Sequence, residues 1–264
     1  MKLDEARVLL TGATGGLGQA IARGLHARGA ILTLTGRRAE VLEPLAAEVG
    51  GRVIVSDLAE ADAPARLLAE AGEIDVLVAN AGLPGSGRLN SFTPEEIDRA
   101  LDVNLRAPML LAHGLTESMV ARGHGHLLFM SSLSGRAASP GTSVYAATKF
   151  GLRGFALALR EDLAPKGVGV SVILPGFISD AGMFHDAGEP ALPKGVGTST
   201  SAQVADAVVR GIVADKGEID VAPLSMRAGA TIAGIAPEIS ARVARRLGGD
   251  RVAQQLVRAQ ADKR

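Results

Sequence analysis

Seven short apolar runs recur along the chain, and longer stretches with the spacing of amphipathic helices separate them. The runs are 6–11, 30–35, 52–56, 74–79, 126–131, 169–174 and 218–222. Their near-continuous valine, isoleucine and leucine content is typical of strands that are buried on both faces. The repeated alternation of strand and helix predicts an α/β fold with a doubly wound parallel sheet of about seven strands, covered by helices on both faces.

The helical stretches include 15–29, 93–123 and 143–162. The second begins with Thr93, Pro94 and Glu96, the order expected of a capping box with proline in the first turn. In a doubly wound sheet the ligand site lies beyond the carboxyl ends of the strands, where the winding reverses. Residues that directly follow a strand are therefore the first candidates for function.

Length and composition predict one domain. With 264 residues, 47% of them hydrophobic, the chain can bury a sizeable core. We predict a single domain over 1–264, with a core over 1–224 and a helical C-terminal extension over 225–264. The 28 basic and 28 acidic residues balance, so no overall field attracts nucleic acid or an anionic membrane.

The absence of cysteine removes disulfides and thiolate chemistry and suits a reducing compartment. The first residues include acids and too short an apolar run for a signal peptide, and no later stretch reaches about 18 uninterrupted apolar residues. We expect a cytoplasmic protein.

Four glycines, Gly12, Gly15, Gly16 and Gly18, follow the first predicted strand and open the first helix. Without side chains in the way, backbone N–H groups and the helix dipole can face a phosphate directly. A tight strand-to-helix turn also needs glycine, so the pattern alone is a weak signal. Its place after the first strand of a βαβ unit favours a dinucleotide site.

The end of the second predicted strand distinguishes NADP from NAD. An NAD site places a carboxylate there for the ribose hydroxyls, whereas this chain has Gly36 followed by Arg37 and Arg38. Arginine matches a phosphate bidentately, so the pair favours NADP over NAD. The alternative, that both arginines are a solvated helix start, is disfavoured because positive charge there opposes the helix dipole.

Tyr145, the only tyrosine, and Lys149 are four residues apart and share one face of the helix predicted over 143–162. A nearby ammonium favours the phenolate, so Lys149 is expected to lower the tyrosine pKa from its usual value of about 10. The tyrosine would then be a usable acid or base. The same spacing arises often by chance, so the pair alone does not identify a site.

Other motifs stand in a fixed order around that pair. They are Thr11-Gly12-x-x-x-Gly16-x-Gly18, Asp57, Asn80-Ala81-Gly82, Asn104, Ser132, Tyr145, Lys149 and Pro175-Gly176. On these motifs the chain resembles the short-chain dehydrogenase/reductase family. The resemblance implies a Rossmann-like sheet, an NADP-dependent oxidoreductase that interconverts a small-molecule carbonyl and alcohol, and assembly as a homodimer or homotetramer.

The resemblance also implies catalytic roles. Tyr145 would exchange a proton with the substrate oxygen, and Ser132 would hydrogen-bond that oxygen. Lys149 would lower the tyrosine pKa and bind the nicotinamide ribose. Asn104 would hold a water that links Lys149 to solvent.

Cofactor and substrate contacts follow from the same resemblance. Asp57 would accept from the adenine amino group. The implied cofactor-binding residues are Gly12, Thr14, Gly15, Gly16, Leu17, Gly18, Arg37, Arg38, Asp57, Leu58, Asn80, Ala81, Gly82, Tyr145, Lys149, Pro175, Gly176 and Ile178. The implied substrate contacts are Ser132, Tyr145, Met183 and Phe184.

Residues 181–200 are rich in glycine and proline and are predicted to form a loop. In the family this region covers the substrate, so Met183, Phe184 and Leu192 predict an apolar ketone or alcohol. Asp180 stands where family members often carry a threonine that contacts the nicotinamide carboxamide, which leaves that contact open.

Thr14 and Gly15 stand where some NADP-dependent members carry a basic residue. Arg37 and Arg38 therefore carry the NADP preference without further support.

Two further features receive structural interpretations. His124 and His126 begin a strand without the spacing of a metal site and are interpreted as surface histidines. In the C-terminal extension, Pro237 and Gly248 bracket a predicted helix, and Asp250 can cap another.

The extension carries eight basic and three acidic residues over 225–264, a pattern that can bind an anionic membrane. Because Arg246 shares a face with Ile239, we favour packing beside the substrate loop or against a second subunit.

A non-catalytic protein that binds a dinucleotide as a sensor or scaffold is the alternative function. It would need only the phosphate loop, whereas this chain also carries Asn104, Ser132, Tyr145 and Lys149. The sequence therefore favours an enzyme.

Overall fold

The computed structural model describes residues 1–189, 192 and 196–246, with the backbone alone at 241 and 243–246. One parallel sheet holds seven strands in the order β3-β2-β1-β4-β5-β6-β7. They are β1 Arg7–Thr11, β2 Ile31–Gly36, β3 Arg52–Val55, β4 Val76–Ala79, β5 Gly125–Met130, β6 Val168–Pro175 and β7 Glu218–Val221. All seven predicted strands, and with them the Rossmann-like sheet, are confirmed.

The described helices are α1 Gly16–His26, α2 Ala39–Val49, α3 Ala63–Ala71, α4 Pro94–Leu101, α5 Ala107–Arg122, α6 Ser143–Leu163, α7 Gly182–His185, α8 Ser201–Val213, α9 Leu224–Ile235 and α10 Pro237–Arg246. Among them, none is long and apolar enough to span a bilayer. The helical stretch predicted over 93–123 is interrupted once, because a turn of π-helix, Asp102–Arg106, joins α4 to α5. The predicted capping box is confirmed: Glu96 N–H donates to Thr93 Oγ1 over 3.2 Å, and Thr93 N–H donates to Glu96 Oε2 over 2.9 Å.

Both faces of the sheet are packed. One core cluster joins α1, α2 and α8 to one face, and a second joins α3, α5 and α6 to the other. The neighbours Leu9 and Leu10 of β1 belong to different clusters, and both are fully buried. Since successive side chains of a strand point to opposite faces, a sheet covered on both sides requires this continuous apolar pattern.

The winding reverses between β1 and β4, because β2 and β3 lie on one side of β1 and the remaining strands on the other. The carboxyl ends of these two strands are tied together by Thr11. Its Oγ1 accepts from the N–H groups of Asn80 and Ala81 over 3.1 and 3.0 Å, and its carbonyl accepts from Asn80 Nδ2 over 3.1 Å. The crevice expected at this point therefore has a rigid floor.

Two segments differ from the predicted outline. The stretch predicted as a loop over 181–200 contains α7 and a β-bridge between Ile178 and Ser199; residues 190, 191 and 193–195 are outside the described part. In the C-terminal extension α10 begins at Pro237 as predicted, and α9, which the sequence analysis did not single out, precedes it. The helix predicted after Asp250 lies outside the described residues.

The interpretation of His126 as a surface residue is wrong, whereas His124 is exposed as predicted. The His126 side chain is 1% exposed, and its Nε2 lies 2.9 Å from Ser171 Oγ. That hydroxyl donates to the carbonyl of Lys216 over 2.7 Å, so Nε2 carries its own proton and donates to Ser171. The space comes from Gly169, where a Cβ would lie 2.4 Å from His126 Nδ1. Burial lowers the pKa of His126 to about 4.

The buried histidine predicts a loss of stability in mild acid. The unfolded chain, with a histidine pKa near 6.5, binds more protons than the folded chain as the pH falls from about 6.5 to 4, so this range costs on the order of 3 kcal/mol of unfolding free energy. In urea unfolding between pH 7 and pH 5, His126→Gln should flatten the pH dependence. The exposed-site control, His124→Gln, should keep the wild-type dependence. If the unfolding free energies of the wild type and His126→Gln changed equally with pH, the lowered pKa of His126 would be contradicted.

Candidate active site

The turn between β1 and α1 brings backbone, not side chains, to the edge of the crevice. Gly12 has a φ of +69°, and a Cβ there would lie 2.7 Å from Ala81 Cα. A Cβ at Gly16 would lie 2.8 Å from Ala181 Cβ, and one at Gly18 would lie 2.2 Å from the Gly12 carbonyl oxygen. The N-cap of α1, Gly15, makes no side-chain hydrogen bond to the helix. The first N–H groups of α1 are thus left without side-chain capping, as a bound phosphate requires.

The end of β2 lies beside this turn. A Cβ at Gly36 would lie 2.7 Å from Thr14 Cγ2, so an acidic side chain at position 36 would have to displace Thr14. Arg38 Nη2 donates to the Thr14 carbonyl over 3.1 Å. Arg37 and Arg38 both line the crevice. The local geometry fits the extra phosphate of NADP better than a ribose held by a carboxylate.

Asp57 follows β3 and is held by two hydrogen bonds. Its Oδ1 accepts from the Ala59 N–H over 3.0 Å, and its Oδ2 accepts from Arg99 Nη2 of α4 over 3.0 Å. Burial alone would raise the pKa of Asp57, but these hydrogen bonds outweigh it and lower the pKa below its usual value. Arg99 lines the same cavity. The sequence analysis missed it, since an arginine on a predicted helix carries no signal of its own.

Asn104 lies in the π-helical turn and is completely buried. Its Oδ1 accepts from the Leu83 N–H over 2.7 Å, and its Nδ2 donates to the Leu83 carbonyl over 3.0 Å. The side chain therefore fixes the chain segment after β4. Among the predicted catalytic and cofactor-binding residues, Asn104 alone does not line the cavity. The predicted water link to Lys149 stays a prediction.

Lys149 and Tyr145 lie one turn apart on α6, which crosses the end of β5. The side chain of Lys149 is 3% exposed, and its Nζ donates to the Met130 carbonyl over 2.9 Å. Ser131 Oγ donates to the Lys149 carbonyl over 2.9 Å, which ties the helix backbone to the same strand end. Ser132, the next residue, is hydrogen-bonded to the Tyr145 side chain. The structure thus brings Ser132, Tyr145 and Lys149 together.

The electrostatics of the pair differ from the expectation that Lys149 lowers the tyrosine pKa. Burial raises the pKa of Tyr145 to about 12, although the hydrogen bond with Ser132 acts in the opposite direction. Burial also lowers the pKa of Lys149 to about 8. The ammonium lies 5.6 Å from the centre of the tyrosine ring and bonds to a carbonyl instead. At this separation its charge does not offset the loss of solvation.

A cavity of about 1040 Å³ joins these parts. The predicted cofactor-binding residues line it, and so do the predicted substrate contacts Ser132, Tyr145, Met183 and Phe184. Its size and its side-chain-free glycine edge fit a dinucleotide beside a small molecule.

Part of the cavity lining is formed by apolar side chains, here called the apolar wall. Met183 and Phe184 belong to α7, and the Phe184 ring packs on Phe177 with a centroid distance of 4.8 Å. Two residues of α9, Met226 and Ala230, complete the wall. The sequence analysis missed both, because only the tertiary fold brings α9 back to the catalytic end of the sheet.

Two residues near this wall lie outside the cavity lining. Asp180 accepts from the N–H and Oγ of Ser201 over 2.8 and 2.9 Å. Its carboxylate is therefore engaged at the start of α8 and does not face the cavity. Leu192 is half-buried and is likewise absent from the lining.

Comparisons with known proteins match this geometry. The family profile described as short chain dehydrogenase matches residues 6–191. Nodulation protein G of Rhizobium sp. strain N33 is 37% identical over 219 residues, which cover 78% of this chain and 89% of the relative. The 3-oxoacyl-(acyl-carrier-protein) reductase FabG of Rickettsia conorii is 34% identical over 172 residues, 64% of this chain and 71% of the relative. A short-chain dehydrogenase from Sphingobium yanoikuyae, solved in complex with NADPH, superposes with a TM-score of 0.76 at 28% identity, covering 89% of this chain and 95% of its own.

The glycine turn supplies a test with a matched control. Gly18→Ala places a Cβ 2.2 Å from a carbonyl oxygen, so the turn must shift; we expect about 1–3 kcal/mol lower stability and at least tenfold weaker NADPH binding. Gly154→Ala, in an exposed part of α6 with nothing within 4 Å of the new Cβ, should stabilise by up to about 1 kcal/mol and leave binding unchanged. Urea unfolding and fluorescence titration measure both effects. If Gly18→Ala bound NADPH as tightly as the wild type, the expected role of the glycine turn in binding phosphate would be contradicted.

Proposed function

The chain belongs to the short-chain dehydrogenase/reductase family, and on that premise we propose that it is an NADP(H)-dependent oxidoreductase that interconverts a carbonyl and an alcohol. The observation that carries the proposal is that Ser132, Tyr145 and Lys149 line the same cavity as the glycine turn. A protein that only binds a dinucleotide does not need Ser132, Tyr145 and Lys149 in this arrangement.

The proposed chemistry uses Tyr145 as the proton donor. With a pKa of about 12 the phenol keeps its proton at neutral pH, so it can protonate a carbonyl oxygen as the carbon is reduced. Ser132 donates a hydrogen bond to the same oxygen. Bound nicotinamide supplies the hydride in reduction and accepts it in oxidation.

Lys149 acts in the proposal after the proton has moved. With a pKa of about 8 its amine is mostly protonated at neutral pH. A phenolate left on Tyr145 would then lie beside a buried cation, which stabilises it. In the oxidising direction the same cation favours the phenolate that removes the alcohol proton.

The proposed cofactor is NADP(H), held by the residues that line the cavity from Gly12 to Gly18 and by Arg37 and Arg38. The support is the glycine at position 36, the Thr14 side chain that occupies the space of an acid there, and the two adjacent guanidinium groups. The NADPH complex of the relative from Sphingobium yanoikuyae agrees with this preference. Asp57, fixed by Arg99, is the proposed acceptor for the adenine amino group.

The proposed substrate is apolar, because the cavity lining includes the apolar residues Leu133, Phe177, Met183, Phe184, Met226 and Ala230. We also propose that the chain assembles as a homodimer or homotetramer in the cytoplasm, as the sequence predicts.

The reaction class is tested by following NADPH absorbance with aliphatic ketones, steroid ketones and 3-oxoacyl thioesters. The thioesters belong in the screen because one relative is named as a 3-oxoacyl reductase. We expect turnover with at least one apolar ketone. Tight NADPH binding without turnover in any class would favour the sensor alternative.

Tyr145→Phe tests the proton donor. We expect NADPH binding to be kept, because the glycine turn is untouched, and kcat/KM to fall by about 10²-fold or more. Lys149→Ala should lower the rate and also weaken NADPH binding. A Tyr145→Phe enzyme that keeps more than about a tenth of kcat/KM, a loss of less than about 1.4 kcal/mol, would refute the role of the phenol.

Arg37→Ala and Arg38→Ala test the cofactor preference. We expect each to weaken NADPH binding by about tenfold or more, the loss of a charge-assisted hydrogen bond, and Arg37→Ala to leave NADH binding nearly unchanged. Arg38 also bonds the Thr14 carbonyl, so its loss can affect both cofactors through the turn. Fluorescence titration with the two cofactors makes the comparison. A wild-type protein that prefers NADH would show the charge argument to be wrong.

A further inference from the structure

Helices α9 and α10 expose four large apolar side chains. Leu224, Ile232, Ile235 and Ile239 are 76%, 56%, 81% and 60% exposed. On α9, Leu224, Ile232 and Ile235 fall on one face at helical spacing, together with Ala228 and Thr231. The other exposed large apolar residues of the described chain are scattered over separate strands, helices and turns. We call Leu224, Ile232, Ile235 and Ile239 the apolar stripe.

The opposite face of α9 belongs to the active-site wall. Met226 and Ala230 line the cavity, and Ala230 is almost fully buried. One helix, about 10 Å thick, therefore separates the cavity from the apolar stripe. Whatever covers the stripe lies next to the apolar side of the substrate site.

The charge around the stripe is positive although the whole chain is neutral. Over 224–246 the sequence has Arg227, Arg242, Arg245 and Arg246 against a single acid, Glu238. The side chains of Arg227 and Arg242 are 49% and 67% exposed. The one charged residue of α9, Arg227, lies beside the stripe, with its Nε 3.7 Å from Asp220 Oδ2. The sequence spacing that argues against a clean apolar stripe, Arg246 seven residues after Ile239, concerns α10 and not α9.

We propose that α9 and α10 bind the surface of an anionic membrane, with the apolar stripe inserted between headgroups and the exposed side chains of Arg227 and Arg242 close to lipid phosphates. Basic amphipathic helices lie in the interface in this way. A second copy is the less suitable occupant, because a two-fold interface through the stripe would bring the same arginines of both copies together. Apolar substrate could then reach the cavity from the lipid side.

Vesicle flotation of the whole purified protein tests the proposal, with vesicles of phosphatidylcholine alone or with one-third phosphatidylglycerol. We expect flotation with the anionic vesicles only, weakened by added salt and by Arg242→Gln. The double variant Ile232→Ser with Ile235→Ser should bind roughly tenfold or more weakly. Val213→Ser, at a 46% exposed apolar site on α8, is the matched control and should float like the wild type.

Other outcomes overturn the proposal. They are no flotation of the wild type, equal flotation of the double variant, or a lower mass of the double variant by light scattering without lipid, which would make the stripe a subunit interface. The proposal does not depend on the reaction, so NADPH turnover can be present whichever result is obtained.

A second measurement covers the case in which the double variant folds poorly. Because the chain has no cysteine, Ile235→Cys carries a single environment-sensitive fluorophore, with Ile31→Cys, at a 56% exposed site on β2, as its control. We expect a blue shift with anionic vesicles at position 235 alone. A shift at both positions, or at neither, contradicts the proposal.

Discussion

The reversal of winding between β1 and β4 is the constraint on which the site depends. Helices leave the two strands toward opposite faces, so the chain opens a crevice where the strands end. Three features keep the crevice in shape: the Thr11 hydroxyl that binds the backbone after β4, the Asn80 amide that binds back to β1, and the approach of Gly12 to Ala81. A side chain at Gly12 would push the two strand ends apart, and the cradle for phosphate would be lost with the crevice.

Burial then sets the protonation of the proposed catalytic group. The same loss of solvent raises the pKa of Tyr145 and lowers that of Lys149, because both shifts favour the neutral form. The cost of burying the amine is met by a backbone carbonyl of β5, and the helix backbone is tied to that strand end by Ser131. The two hydrogen bonds that hold α6 to the end of β5 therefore also bring the Tyr145 phenol and the Lys149 amine to the same cavity as Ser132.

The proposed substrate side includes α7 and α9, which lie outside the sheet and α6. The family profile ends at residue 191, before α8, β7, α9 and α10. Yet Met226 and Ala230 of α9 complete the apolar wall. The proposed substrate side is thus shared between residues inside the matched range, such as Met183 and Phe184, and the α9 helix beyond it.

The sequence by itself determined the seven strands, the burial of the central ones on both faces, the glycine turn and the order of the family motifs, because each depends on local periodicity or on residue type. Tertiary structure decided what depends on distant neighbours. His126 is buried because Gly169 and Ser171 of the next strand make room and supply a partner, and Arg99 reaches Asp57 from a helix 42 residues later. The direction of the Tyr145 pKa shift also depends on the tertiary structure. The sequence spacing places Lys149 nearby, but the packed domain excludes solvent from the phenol, and this burial raises the pKa more than the charge of Lys149 can lower it. No local sequence pattern shows how much solvent the packed domain excludes.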